Sequence, residues 1–170
     1  MLSLAKIQFY DHKVFYWLQR PAYPAIVLPI SKALSFSANG PAYVIAALIL
    51  GVCLHFQTTA VLALGFTLER LVYFTFKPTF KRARPSAALP SFVSQITPSD
   101  QFSFPSGHTS GAFVFAGLTS HYCPKLLPFL LVWACGVGLS RVLLGVHFLT
   151  DVFAGALVGW GLASGIEAWL

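Results

Sequence analysis

Charge is scarce in this chain. Asp, Glu, Lys and Arg make up 9% of its 170 residues, against roughly 25% in an average soluble domain. Only five residues are acidic, whereas 56% are hydrophobic and the mean hydropathy is +0.73. So little polar surface cannot clothe a water-facing globule of this size, which excludes an ordinary soluble domain and favours a polytopic membrane protein. Cysteine is equally sparse. Cys53, Cys123 and Cys135 lie in apolar runs without metal-ligand spacing, so they suggest neither a disulfide framework nor a zinc site and read as buried free thiols. The N-terminus lacks the basic, apolar and small-residue order of a signal peptide, because Lys6, Asp11, His12, Lys13 and Arg20 interrupt it; it is expected to stay on the mature protein.

What the chain has in abundance is apolar runs. A hydrocarbon core of about 30 Å takes about 20 helical residues. Five stretches qualify or nearly so, 40–56, 58–76, 107–122, 126–144 and 147–168. The fold expected is all-α, a membrane helix bundle of five transmembrane helices, or six if residues 14–36 also cross. Asp11, Lys13, Arg20 and Lys32 recur among aromatics in residues 4–36, and Pro21, Pro24 and Pro29 punctuate its second half. That mixture suits two amphipathic helices at the headgroup boundary. The expected organisation is one domain over 1–170, with an interfacial segment 1–38 and a transmembrane core 40–170. The last stretch carries Gly155, Gly159 and Ala163 at four-residue spacing, a pattern that lets membrane helices approach closely.

Between the second and third stretches lies 77–106, a loop with Lys77, Lys81, Arg82, Arg84 and five of the eleven prolines. Unstructured connections beyond about 12–15 residues are uncommon and often functional. Counting crossings places both ends of this loop, and the 140–151 turn, on one membrane face. Nearly all reactive polar residues therefore gather there, in three clusters.

The first cluster runs from Lys77 to Arg84-Pro85. Arg84 can grip a phosphate bidentately and Lys77 can act as a point charge, while Lys81 and Arg82 fit equally well as ordinary headgroup-attracting charges. The second is Pro105-Ser106-Gly107-His108, at the mouth of an expected helix whose unpaired N–H groups favour an anion; Ser106 also suits a plain N-cap. The third joins Ser140-Arg141 to His147 and Asp151. If 147–151 opens a helix, the last two share a face. A carboxylate there can fix one imidazole nitrogen and leave the other as a nucleophile, although a structural histidine would look the same. Glu69 and Arg70, inside an apolar stretch, are expected to pair with each other or with polar groups beneath this face.

Together the clusters resemble the type 2 phosphatidic acid phosphatase superfamily, which includes vanadium haloperoxidases and glucose-6-phosphatase. Its pattern is Lys, six residues, Arg-Pro; then Pro-Ser-Gly-His; then Ser-Arg, five residues, His, three residues, Asp. Lys77 with Arg84-Pro85, Pro105 to His108, and Ser140-Arg141 with His147 and Asp151 match every position. The resemblance implies a membrane lipid phosphatase working through a phosphohistidine. His147 would attack phosphorus, Asp151 would orient it, and His108 would act as acid and then base. Lys77, Arg84, Ser106, Gly107 and Arg141 would hold the phosphoryl oxygens. It implies no metal and no cofactor, and with only Asp100 and Asp151 expected near the site, acidic residues are too few for a two-metal clamp. The partners implied are membrane lipids and a lipid phosphate or diphosphate. Undecaprenyl diphosphate ranks first on the small size of the chain, ahead of phosphatidylglycerophosphate or phosphatidic acid; no nucleic-acid partner is expected. Five apolar stretches argue against a soluble haloperoxidase. The rival from another class is a non-catalytic module that binds or transports anionic lipids, which leaves two histidines without a purpose.

The resemblance further implies a bacterial inner membrane, with the site on the periplasmic or outer face. Lys6, Lys13, Arg20, Lys32, Lys77, Lys81, Arg82, Arg84 and Arg141 would then lie outside, with only Lys125 opposite, against the positive-inside tendency. The resemblance is preferred because charges committed to phosphate are not free to set orientation.

Overall fold

The structure is a computed structural model that describes residues 4–19 and 25–170. It consists of helices α1 (Leu4–Gln19), α2 (Val27–Ser37), α3 (Gly40–Cys53), α4 (Phe56–Phe80), α5 (Pro85–Ala88), α6 (Gly107–Tyr122), α7 (Leu127–Leu143) and α8 (Leu149–Glu167), with a 3₁₀ turn at Pro124–Leu126. No strand occurs among the described residues. The bundle is built around α6, which packs against α4, α7 and α8. Ala112, Val114, Ala116 and Leu118 of α6 are fully buried.

Small residues allow that central position. A Cβ added at Gly155 or Gly159 of α8 would stand 2.6 Å from the Ser106 carbonyl oxygen or 2.2 Å from that of Ser110, and one at Gly117 would stand 2.5 Å from Ala163 Cβ. The Gly155, Gly159 and Ala163 stripe therefore faces α6, as the spacing predicts, and backbone approaches backbone there.

All five expected apolar helices form, but not all are membrane spans by length and composition. Phe56–Phe80, Pro124–Leu143 and Leu149–Glu167 are long and apolar enough to cross. The α2–α3 pair passes the same test only as one span bent by 59°. By that criterion the described residues hold three spans, or four with the bent pair, and α6 is left out. The physical reason is that α6, sixteen residues long and rich in Ser, Thr and Gly, is sheathed by its neighbours and need not present an apolar surface to lipid. Residues 27–37, expected to lie at the interface, instead lead into the bent pair. The alternative span over 14–36 includes residues 20–24, and with them Arg20, Pro21 and Pro24, which lie outside the described residues.

Two further expectations are corrected. Lys77 belongs to α4, which runs through Pro78 to Phe80 and ends where Lys81 adopts a left-handed conformation with φ 47°; the loop is correspondingly shorter. Cys53 and Cys135 are exposed and Cys123 is half-buried. Cys53 and Cys135 sit on outward-facing positions, so an apolar sequence context did not make them buried.

Candidate active site

The 144–148 turn between α7 and α8 carries His147. Gly145 sits there at φ +74°, and a Cβ would meet the Phe92 ring at 2.5 Å, so both backbone conformation and packing require glycine. The turn closes through Val146 N–H to the Arg141 carbonyl at 3.2 Å. His147 and Asp151 do not meet by helical spacing. Helix α8 begins only at Leu149, and Asp151, at its third position, reaches back to the Phe148 N–H at 2.8 Å. This capping contact swings its carboxylate toward the His147 ring, with Nδ1 to Oδ2 at 3.6 Å. That separation is longer than a hydrogen bond, and Nδ1 has no other partner.

On the opposite edge of the ring, Nε2 stands 3.3 Å from Arg84 Nη1, which also donates to the Val146 carbonyl at 2.6 Å. A guanidinium can only donate, so Nε2 is the acceptor and the proton of the neutral ring sits on Nδ1, facing Asp151. Burial pushes the His147 pKa down to about 4, although Asp151 pulls it the other way. At neutral pH Nε2 thus carries a lone pair rather than a proton.

Two cations gather on one carboxylate. Lys77 Nζ donates to Asp100 Oδ1 at 2.7 Å and to the Phe102 carbonyl at 2.5 Å, and Arg84 Nη2 reaches the same Asp100 Oδ1 at 3.0 Å. The Tyr73 hydroxyl donates to Asp100 Oδ2. Burial opposes ionisation of Asp100, but these hydrogen bonds and the nearby charges of Lys77 and Arg84 outweigh it and hold the carboxyl well below the usual range. Asp100 therefore clamps together two of the side chains expected to hold phosphate.

Ser106 is the N-cap of α6 and is fully buried. Its N–H donates to the Asp151 carbonyl at 3.0 Å and its Oγ accepts from Thr109 at 2.9 Å, which joins the second cluster to the third. His108 Nε2 lies 2.9 Å from Asn39 Oδ1 at the bend between α2 and α3. An amide oxygen only accepts, so this nitrogen carries a proton. Arg141 donates to Ser35 Oγ. Glu69 and Arg70 pair at 2.6 Å, and Ser110 donates to the same Glu69 carboxylate, as expected for charges beneath the site.

A cavity of about 390 Å³ connects these groups. Its polar end holds Arg84, Gly107, His108, Arg141 and His147, along with Asp100, Glu69 and Arg70; its other end runs between α3 and α4 along Val44, Ala47, Leu48, Ala63 and Phe66. Lys77, Ser106 and Asp151 stand behind this wall rather than in it. A second cavity, about 570 Å³, shares Asn39, Ser99, His108 and Arg141 with the first.

Several participants were not legible in the motifs. Arg82, equally compatible with a plain surface charge, donates from Nη1 to Asp151 Oδ1 at 2.6 Å and to Thr150 Oγ1 at 2.7 Å, and from Nη2 to Asp11 Oδ2 at 2.5 Å. Asp11, in the segment expected at the interface, is 3% exposed. Asp11 thus joins Asp100 and Asp151, the two acidic residues expected near the site, while Glu69 lies beneath it as expected. Asn39 carried no motif signal at all; only the Asn-Gly-Pro turn before α3 marked its neighbourhood.

Residues 57–170 match the family model for the PAP2 superfamily. The chain is 36% identical over 107 residues to phosphatidylglycerophosphatase B of Bacillus subtilis, covering 56% of this chain and 50% of that one. It is 33% identical over 104 residues to lipid A 4'-phosphatase of Helicobacter pylori, covering 60% and 52%. The chain therefore spans about half the length of these two curated relatives. The crystal structure of a transmembrane PAP2-type phosphatidylglycerolphosphate phosphatase from Bacillus subtilis superposes with a TM-score of 0.83 at 25% identity, over 98% of this chain and 87% of that one. Helices suited to cross a bilayer, three motifs brought to one cavity, and a family match over two thirds of the sequence agree: the chain is an integral membrane protein that belongs to the PAP2 superfamily.

Proposed function

We propose that this protein hydrolyses the phosphate monoester or diphosphate of a membrane lipid through a phosphohistidine formed on His147. One observation carries the reading. A single cavity joins a neutral, cation-flanked imidazole at its polar end to apolar walls on α3 and α4, which suits a ligand with a phosphate head and a hydrocarbon tail.

In the first step His147 Nε2 bonds to phosphorus as the bond to the leaving oxygen breaks, and His108, whose protonated form the bound anionic phosphate favours, delivers a proton to that oxygen. Asp151 faces the positive charge that develops on the ring. In the second step His108 takes a proton from water as the water oxygen bonds to phosphorus and the Nε2–P bond breaks, releasing phosphate. Arg84, Arg141 and the Gly107 backbone line the cavity to hold the phosphoryl oxygens, with Lys77 and Ser106 fixing them from behind. All of these groups are protein side chains or backbone, and no cluster of three His, Cys, Asp or Glu suited to a metal occurs among the described residues.

For the substrate we favour a glycerophospholipid phosphate such as phosphatidylglycerophosphate, as the relatives' names suggest, over undecaprenyl diphosphate, which rested on chain size. Residues 1–170 are read as one functional unit with its site on the outer face. Lys77, Arg84 and Arg141 are buried and Arg82 is held in ion pairs, so these charges are not free to set orientation. Exposed Phe9, Tyr10, Tyr16 and Trp17 keep α1 at the headgroup boundary.

Phosphate release from phosphatidylglycerophosphate, phosphatidic acid, lipid A and undecaprenyl diphosphate, each in detergent micelles, tests the substrate. Release from none of them would reject the enzymatic reading in favour of a binding module. Acid-quenched wild-type enzyme should carry base-stable, acid-labile phosphate. With an activated aryl phosphate, His108→Ala should still form that species and then stall, whereas His147→Ala should form none.

A further inference from the structure

Asp151 is wholly buried, and an isolated carboxylate in such a place is costly unless paired. Its partner is not only the histidine it faces. One oxygen, Oδ2, accepts from Phe148 N–H and faces His147; the other, Oδ1, accepts from Arg82 at 2.6 Å. Arg82 is in turn held from its far side by Asp11, and Thr150 closes the ring. The Thr150 hydroxyl accepts from Arg82 and donates to Asp11 Oδ2, while its backbone N–H donates to Asp11 Oδ1 at 3.1 Å. The Arg82 guanidinium also lies 4.7 Å above the Phe148 ring. Neither cavity wall includes Arg82.

From this closed ring we infer that Arg82 and Asp11 are positioning residues for the nucleophile, and that α1 is thereby a working part of the active site. Arg82 keeps Asp151 charged and fixes the direction of its other oxygen, Oδ2, toward His147 Nδ1; Asp11 keeps Arg82 from turning into the phosphate-binding cavity. The inference rests on His147 being the nucleophile, and it reaches outside the 57–170 segment that matches the family, to a residue on the first helix. An exposed Asp–Arg pair would contribute little. Here Asp11 is buried and Arg82 largely so, the guanidinium bridges two carboxylates, and it is attached to the residue that orients the reacting ring, so it acts through geometry.

The test uses the full chain in detergent with phosphatidic acid as substrate and an activated aryl phosphate to read phosphoenzyme formation. Outer partners of functional histidines, measured at metal sites, are worth about 10–100-fold. Arg82→Gln and Asp11→Asn should each lower kcat by about tenfold or more with KM within about twofold, and Arg82→Lys should recover part of the loss. In an Asp151→Asn background, Asp11→Asn should cost less than about twofold further. Full multiplication of the two losses, unchanged kcat in Asp11→Asn, or a raised KM at constant kcat would overturn the inference. Should Asp11→Asn fail to give a monodisperse, cooperatively melting protein, the comparison of Arg82→Lys with Arg82→Gln decides the matter, because both retain Asp11: equal losses would reject the role of the charge. Failure of the underlying reading looks different. In that case His147→Ala would itself keep forming phosphoenzyme.

Discussion

Arg82 and Arg84 stand two residues apart and do opposite things. The segment between them is extended, with Ala83 bridged to Phe102, and residues i and i+2 of an extended chain share a face. Both guanidinium groups therefore turn toward the 146–151 turn and flank His147 on either side. Arg84 meets the Nε2 edge in the cavity wall; Arg82 meets Asp151 behind the Nδ1 edge, outside it. The same charge in the same loop thus faces the cavity on one side and the Asp151 carboxylate on the other. Residue type and proximity to a motif say little about role until the partner is known.

The largest effect that would break this contrast is at the residue both arginines flank. His147→Ala should remove turnover and any acid-labile phosphoenzyme, as read by acid quench of the aryl phosphate reaction; retained phosphoenzyme would leave the arginines with no common target. Next comes the cavity side. Arg84→Ala should cost about 3 kcal/mol, or about a hundredfold in kcat/KM, and should weaken vanadate inhibition, a change not expected for Arg82→Gln. Equal loss of vanadate binding in both would erase the distinction between them.

The pH profile sharpens the contrast further. Because burial holds His147 at about 4, the neutral, attack-competent ring is present above that pH and lost as pH falls through it. The acid limb of kcat/KM, corrected for substrate ionisation, should lie near there, well below the ordinary histidine value of about 6.5. Asp151→Asn removes the group that raises this pKa and should move the limb lower still. A limb at the ordinary value would show that the ring is not buried as described. The smallest effect belongs to the third basic residue of the loop: Lys81 is exposed at the end of α4, and Lys81→Ala should change kcat/KM by less than about twofold.

Helix content and the meeting of the three clusters were readable in advance, because hydropathy marks buried runs and crossing parity decides which ends share a face. The small-residue stripe on α8 was readable for the same reason: spacing alone says which side of a helix is thin. Span number was less so. Whether α6 needs an apolar coat depends on what surrounds it, and that is a property of the packed bundle. The His147–Asp151 pair was expected for the wrong geometric reason, as a helical i,i+4 contact, whereas a helix-capping carboxylate brings it about.

By itself, the sequence determined that this chain lies in a membrane, that it carries the three ordered motifs of its family, and which residue types stand at each position. Those features are local or additive: hydropathy sums over a window, and a motif is a spacing. Tertiary structure alone decided who pairs with whom. Asp11 and Arg82 are 71 positions apart, as are no two members of any one motif, and Asn39 reaches His108 across 69. A buried ion pair or a fixed tautomer depends on two side chains reaching one point in a low-dielectric interior, and no linear pattern encodes that meeting before the helices have packed.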